Sequence, residues 1–76
     1  MRMNKQTIGM NAGILWNLLS QQERWEYNEL KARSGLHDRD LNAAIGWLAR
    51  EDKIQFETDE TTHREYLYLA VNYYIG

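Results

Sequence analysis

The strongest constraint on the fold is a change in the hydrophobic period near residue 53. Before that point, five apolar side chains recur at the spacing of one helix face: Leu41, Ala44, Ile45, Leu48 and Ala49. After it the chain alternates, with Ile54, Phe56 and Thr58 on one side and polar residues on the other. We predict a helix over residues 39–52 followed by a half-buried strand, which indicates an α+β domain.

An amphipathic segment near the N-terminus predicts a first helix over residues 7–19, with Thr7 as its N-cap. Its apolar stripe consists of five residues: Ile8, Ala12, Leu15, Leu18 and Leu19. Further apolar residues lie outside this stripe, so the helix carries more apolar surface than one core requires. The surplus is expected to meet the sheet or another subunit.

The middle of the chain predicts a helix, a tight turn and a second helix. Residues 25–27 alternate like a very short strand, and Asn28 is the expected N-cap of a helix over residues 29–34. Gly35 stands where a left-handed residue ends a helix, and Asp38 is expected to cap the next one. This order predicts a helix-turn-helix unit.

The C-terminal part predicts a β-hairpin, with its tip at residues 59–63 and a returning strand over residues 65–75. Both sides of the returning strand are largely apolar, and Tyr66 and Tyr68 share one of them. Either this tyrosine side forms an outer contact surface, or the rings pack along their own sheet with their hydroxyl groups in water.

The length of 76 residues, 43% of them hydrophobic, predicts one small globular domain spanning residues 1–76. A domain of this size is marginally stable alone and often gains from a partner subunit. The chain has no cysteine, and no segment has the apolar length of a signal peptide core or a membrane span. We therefore expect a cytoplasmic location.

Several residues between positions 29 and 54 stand at the spacings that resemble those of winged helix-turn-helix domains. They are Glu29-Leu30, Ser34-Gly35-Leu36, Leu41, Ala44-Ile45, Leu48 and Lys53-Ile54. The segment AIGWLARE in so short a chain looks like a small stand-alone bacterial winged helix-turn-helix family catalogued as a domain of unknown function. The resemblance implies three helices and a small antiparallel sheet with a C-terminal β-hairpin wing, and it implies no activity.

Many domains of this class bind DNA through the second helix of the helix-turn-helix unit. The contacts available here are few and scattered: Arg39, Asn42, Arg50 and Arg64. The net charge is −2, and acids outnumber bases in the predicted wing, which would repel phosphate. DNA binding by a dimeric transcription regulator is therefore the alternative hypothesis.

The outward face of the predicted third helix has features of a protein interface. Ala43 and Gly46 would let another backbone approach closely, and Trp47 beside them is an anchor of the kind enriched in binding hot spots. The other interpretation is that Trp47 folds back onto its own domain beneath the wing, since tryptophan is highly buried on average.

We expect a winged helix domain that acts through protein contacts, most simply as a homodimer. The contact residues would be Ala43, Gly46, Trp47, Tyr66 and Tyr68. Two distant histidines and two serines give no preorganised catalytic site and no metal ligand set. We predict no enzyme activity, cofactor, metal ion, small-molecule ligand or membrane association.

Overall fold

A computed structural model describes residues 3–70 and shows three helices and a three-stranded antiparallel sheet. The elements are α1 (Lys5–Leu19), β1 (Trp25–Glu26), α2 (Tyr27–Ser34), α3 (Asp38–Arg50), β2 (Ile54–Asp59) and β3 (Arg64–Leu69). The predicted α+β class and the C-terminal hairpin are confirmed. Residues 71–75 of the predicted returning strand lie outside the described residues.

The first helix begins earlier than predicted. Its N-cap is Asn4, whose side-chain oxygen accepts a hydrogen bond from the Thr7 amide at 2.8 Å. The Thr7 hydroxyl in turn accepts from the Asn4 amide at 3.0 Å, which completes a capping box. Thr7 as the N-cap was therefore wrong, because Asn4 satisfies the first free amides three residues upstream.

The second helix also begins earlier, at Tyr27, so the prediction of Asn28 as its N-cap was wrong. Glu26 holds this position because its carboxylate accepts a hydrogen bond from the Glu29 amide at 3.3 Å. Gly35 ends the helix with φ 73°, in the left-handed region, as predicted.

The third helix contains Asp38 as its first residue, so Asp38 is not its N-cap. His37 stands at the cap position without a side-chain hydrogen bond to the helix. The helix ends at Arg50, two residues before the predicted end, because Asp52 adopts φ 57° and turns the chain into β2.

The sheet has the strand order β1-β3-β2, so β2 lies at one edge. Trp25 pairs with Leu67 across β1 and β3, and Phe56 pairs with the other side of Leu67 across β2 and β3. The turn of the hairpin is held by Asp59, whose carboxylate accepts hydrogen bonds from the amides of Thr61 and Thr62. β2, this turn and β3 form the wing.

The core lies where α1, α2 and α3 meet the base of the sheet. Its buried residues are Ala12, Leu15, Leu19, Trp25, Leu30, Leu41, Ala44, Leu48, Ile54 and Leu67. The predicted inward faces of α1 and α3 supply most of this set. The prediction of a half-buried β2 was wrong, since Ile54 is buried but Phe56 is 55% exposed, because the wing extends past the helices.

Candidate interaction surfaces on the third helix and the wing

The outward face of α3 is open to solvent along its length. Arg39, Gly46 and Arg50 are exposed, and Ala43 is partly buried beside them. Trp47 keeps 42% of its surface exposed, so its ring is not enclosed beneath the wing. The structure therefore brings a large aromatic side chain and two small residues together on one accessible helix face.

Asn42 lies at the edge of this face, where it is tied to α2. The Tyr27 hydroxyl donates a hydrogen bond to the Asn42 side-chain oxygen at 2.8 Å and lies 3.3 Å from a carboxylate oxygen of Asp38. Burial, and then the nearby Asp38 carboxylate, raise the pKa of Tyr27. The side-chain oxygen of Asn42 thus holds two helices together, although the sequence offered it as a DNA contact.

Asp38 also joins α2 to α3 through an ion pair with Lys31, whose ammonium nitrogen lies 3.0 Å from the carboxylate. The hydrogen bond from Lys31, and then its positive charge, lower the pKa of Asp38. Both side chains are well exposed, so this pair contributes little to stability. The pair places a negatively charged carboxylate, balanced by the Lys31 ammonium, at the start of α3.

The three candidate arginines lie on separate parts of the molecule. The Arg39 guanidinium is 3.5 Å from the Asp40 carboxylate within α3. Arg50 ends α3 and Arg64 begins β3, and both are exposed. They do not form one continuous basic patch, which is the usual electrostatic footprint of a nucleic-acid site.

An open cleft of about 240 Å³ lies between α3 and the inner face of the wing. Its lining consists of Tyr27, Asn42, Ile45, Phe56, Glu57, Thr58, Glu65 and Leu67. None of these residues is a lysine or arginine, and two are glutamates. The cleft is therefore apolar at its base and acidic at its wing side.

The outer face of the sheet is covered in part by Arg24. Its guanidinium carbon lies 4.3 Å from the centre of the Tyr66 ring, and its terminal nitrogen forms an ion pair with Glu57 at 2.5 Å. Tyr66 and Tyr68 are both partly buried. This arrangement agrees with the interpretation in which the tyrosines pack along their own sheet.

Exposed apolar side chains occur in two places that the candidate interface did not include. Met10 and Ile14 are four residues apart on the solvent side of α1, with 64% and 44% exposure. Phe56 on β2 of the wing is 55% exposed. The α1 pair could be found from its helical spacing, but nothing local shows that the wing carries Phe56 away from the core.

Two further classes of site are absent from the part of the chain that the structure describes. Among residues 3–70, no group of three His, Cys, Asp or Glu side chains is placed to hold a metal ion. No helix within the same residues is long and apolar enough to cross a membrane.

A helix-turn-helix unit followed by an antiparallel hairpin defines the class of winged helix-turn-helix domains. The chain belongs to the family described as "Winged helix-turn-helix domain (DUF2582)", whose model matches residues 3–69. No curated protein matches the sequence. The predicted resemblance is confirmed, and the family's description names a fold and no activity.

Proposed function

We propose that this winged helix domain acts through protein contacts and as a homodimer. The observation that carries the proposal is the acidic cleft between α3 and the wing. A duplex held by the third helix and the wing would bring phosphates towards Glu65 and towards Glu57, which is ion-paired with Arg24, and none of the residues that line the cleft is a lysine or arginine that could bind a phosphate.

The outward face of α3 supports the choice of protein as the partner. Trp47 is a large side chain with few rotamers to lose on binding, and it stands beside Gly46, where a partner's backbone can approach closely. Arg50 adds a charged group that can bind a carboxylate at the edge of such an interface. We assign this face to contact with a partner protein.

A second candidate, a DNA-binding regulator of the winged helix type, is favoured by one observation. Arg39 and Arg50 are both exposed on the outward face of α3, the helix that enters the major groove in DNA-binding members of this class. In a dimer, two weak half-site contacts add, so a modest set of arginines can suffice.

An anisotropy titration with labelled random-sequence duplex DNA separates the two candidates. At about 50 mM salt, non-specific binding by DNA readers is strong and falls steeply as salt rises. We expect no binding by the wild-type protein at high micromolar concentration. Micromolar binding that falls with salt and is lost in the Arg39→Ala, Arg50→Ala double variant would overturn the proposal in favour of the regulator.

Sedimentation equilibrium over a concentration series tests the homodimer. We expect a reversible shift from monomer to dimer as the protein concentration rises from micromolar towards millimolar. A protein that stays monomeric over the whole series would contradict this part of the proposal.

A further inference from the structure

The longer edge strand of the sheet, β2, has no second neighbouring strand within the described residues. β2 pairs with β3 on one side only, and β1 lies at the far side of β3. The side chains of Gln55, Phe56, Glu57 and Thr58 are all exposed, so neither the helices nor the rest of the sheet cover this strand. An open edge presents free amide and carbonyl groups that can pair with another strand.

The register identifies which backbone groups are free. In an antiparallel pair, residues alternate between those that bond to the neighbouring strand and those that point away from it. The Ala70 amide donates to the Lys53 carbonyl at 2.9 Å. The backbone amides and carbonyls of the odd-numbered residues of β2 therefore point towards β3. The amides and carbonyls of Ile54, Phe56 and Thr58 therefore point to the open edge.

We infer that β2 pairs antiparallel with β2 of a second copy, with Phe56 opposite the second copy's Phe56. This register makes Phe56 a hydrogen-bonded pair with itself and pairs Ile54 with Thr58 in the same way. Every outward-pointing backbone group of the strand centre then finds a partner. The two exposed aromatic rings lie side by side on the same face of the joined sheet.

The side chains of β2 are complementary in this register. Gln55 lies opposite the second copy's Glu57, where an amide can donate to the carboxylate that Arg24 also contacts. Sliding one copy by two residues towards the turn would instead place Glu57 opposite Glu57 of the second copy, where the two negative charges repel. The charges thus favour the register centred on Phe56 over the register shifted by two residues.

The strand lacks three common protections of an open edge. Natural edges are commonly blocked by proline, by a central lysine or by a bulge. Residues 54–59 contain neither proline nor lysine, and their pairing with β3 runs without interruption. This inference rests on the proposed homodimer and names its contact surface, which leaves the outward face of α3 free for a partner protein.

Two substitutions of Gln55 test the register with opposite expected effects. Gln55→Lys places a cation opposite Glu57, and Gln55→Glu places an anion there, each twice in a symmetric dimer. We expect the dimer dissociation constant, measured by sedimentation equilibrium, to differ by about tenfold or more between the variants, with the lysine variant the tighter. Equal constants would overturn the register.

Phe56→Lys and Trp47→Ala form a matched pair, because both replace an exposed aromatic residue on different elements. We expect Phe56→Lys to abolish the dimer and Trp47→Ala to leave it unchanged, with circular dichroism showing that both variants fold. The amides of Ile54, Phe56 and Thr58 should also become protected from hydrogen exchange only at protein concentrations where the wild type is dimeric.

The outcomes separate this inference from the proposed function. A dimer lost in Trp47→Ala but kept in Phe56→Lys would overturn the β2 interface while retaining the homodimer. A wild type that is monomeric at every concentration would overturn both.

Discussion

At the scale of single residues, Gly35 controls the turn between α2 and α3. Its φ of 73° is costly for residues with a side chain, and a Cβ built there meets no atom within 4 Å. The strain of Gly35→Ala is therefore confined to the backbone. We expect this substitution to lower the free energy of unfolding by about 1 kcal/mol, measured by urea denaturation.

Gly46 is the matched control, because its added Cβ also meets no atom within 4 Å but its backbone is helical. Gly46→Ala should raise the free energy of unfolding by up to about 1 kcal/mol, since alanine is the better helix former. A similar loss of stability in both variants would show that the sign of φ is not the cause.

Residues whose conformation is set locally could be predicted from sequence, and others could not. Gly35 follows a short helix directly, so its role needs only local turn chemistry. The predicted N-cap of α1 was wrong because Asn4 and Thr7 lie within one turn and either residue type can cap a helix. Only the capping box shows which of the two does so.

At the scale of elements, the capping box fixes the start of α1. Asn4→Ala removes the acceptor for the Thr7 amide, and we expect it to lower the free energy of unfolding by about 1 kcal/mol in a denaturant titration. Asn4→Asp is the control, since aspartate keeps the acceptor and adds a charge that suits the helix dipole. If both variants lost the same stability, the cap would not be the cause.

The outward face of α3 could be predicted because helical periodicity fixes orientation once the buried stripe is known. Leu41, Ala44 and Leu48 are buried as expected, so Trp47 and Arg50 point away from the core. The wing differs, because an alternating strand does not show where its sheet ends. Phe56 therefore came out exposed on a strand whose pattern indicated burial.

Contacts between elements distant in sequence explain the rest of the difference. Arg24 precedes β1, and it reaches the Tyr66 ring on β3 and the Glu57 carboxylate on β2. No local pattern links these three residues. The sequence therefore left two interpretations of the tyrosine side open, an outer contact surface or rings that pack along their own sheet.

At the scale of the whole molecule, the small core limits the free energy of unfolding, so dimerisation can add a large share of the total stability. The described chain has a radius of gyration of 12.3 Å, and a domain of this size buries only about 60% of the surface of its unfolded chain. A dimer that forms only from folded copies stabilises the folded state by mass action.

The melting temperature should therefore depend on protein concentration. A protein concentration a hundredfold above the dissociation constant adds about 2.7 kcal/mol to the free energy of unfolding, which raises the melting temperature by roughly 10–20 °C in a chain of this size. Differential scanning calorimetry at increasing concentrations measures the effect. The Phe56→Lys variant should melt at a constant temperature, and the same constancy in the wild type would contradict the dimer.

The three tryptophans lie at three depths, which gives the domain a built-in optical probe. Trp25 is 1% exposed, Trp16 packs partly against the core under the ammonium of Lys53, and Trp47 is 42% exposed. An aqueous quencher such as iodide can reach the Trp47 indole and not that of Trp25. A partner that covers the outward face of α3 should therefore protect the Trp47 emission from iodide, without any label on the protein. The Trp25 emission that iodide does not quench reports whether the core is intact.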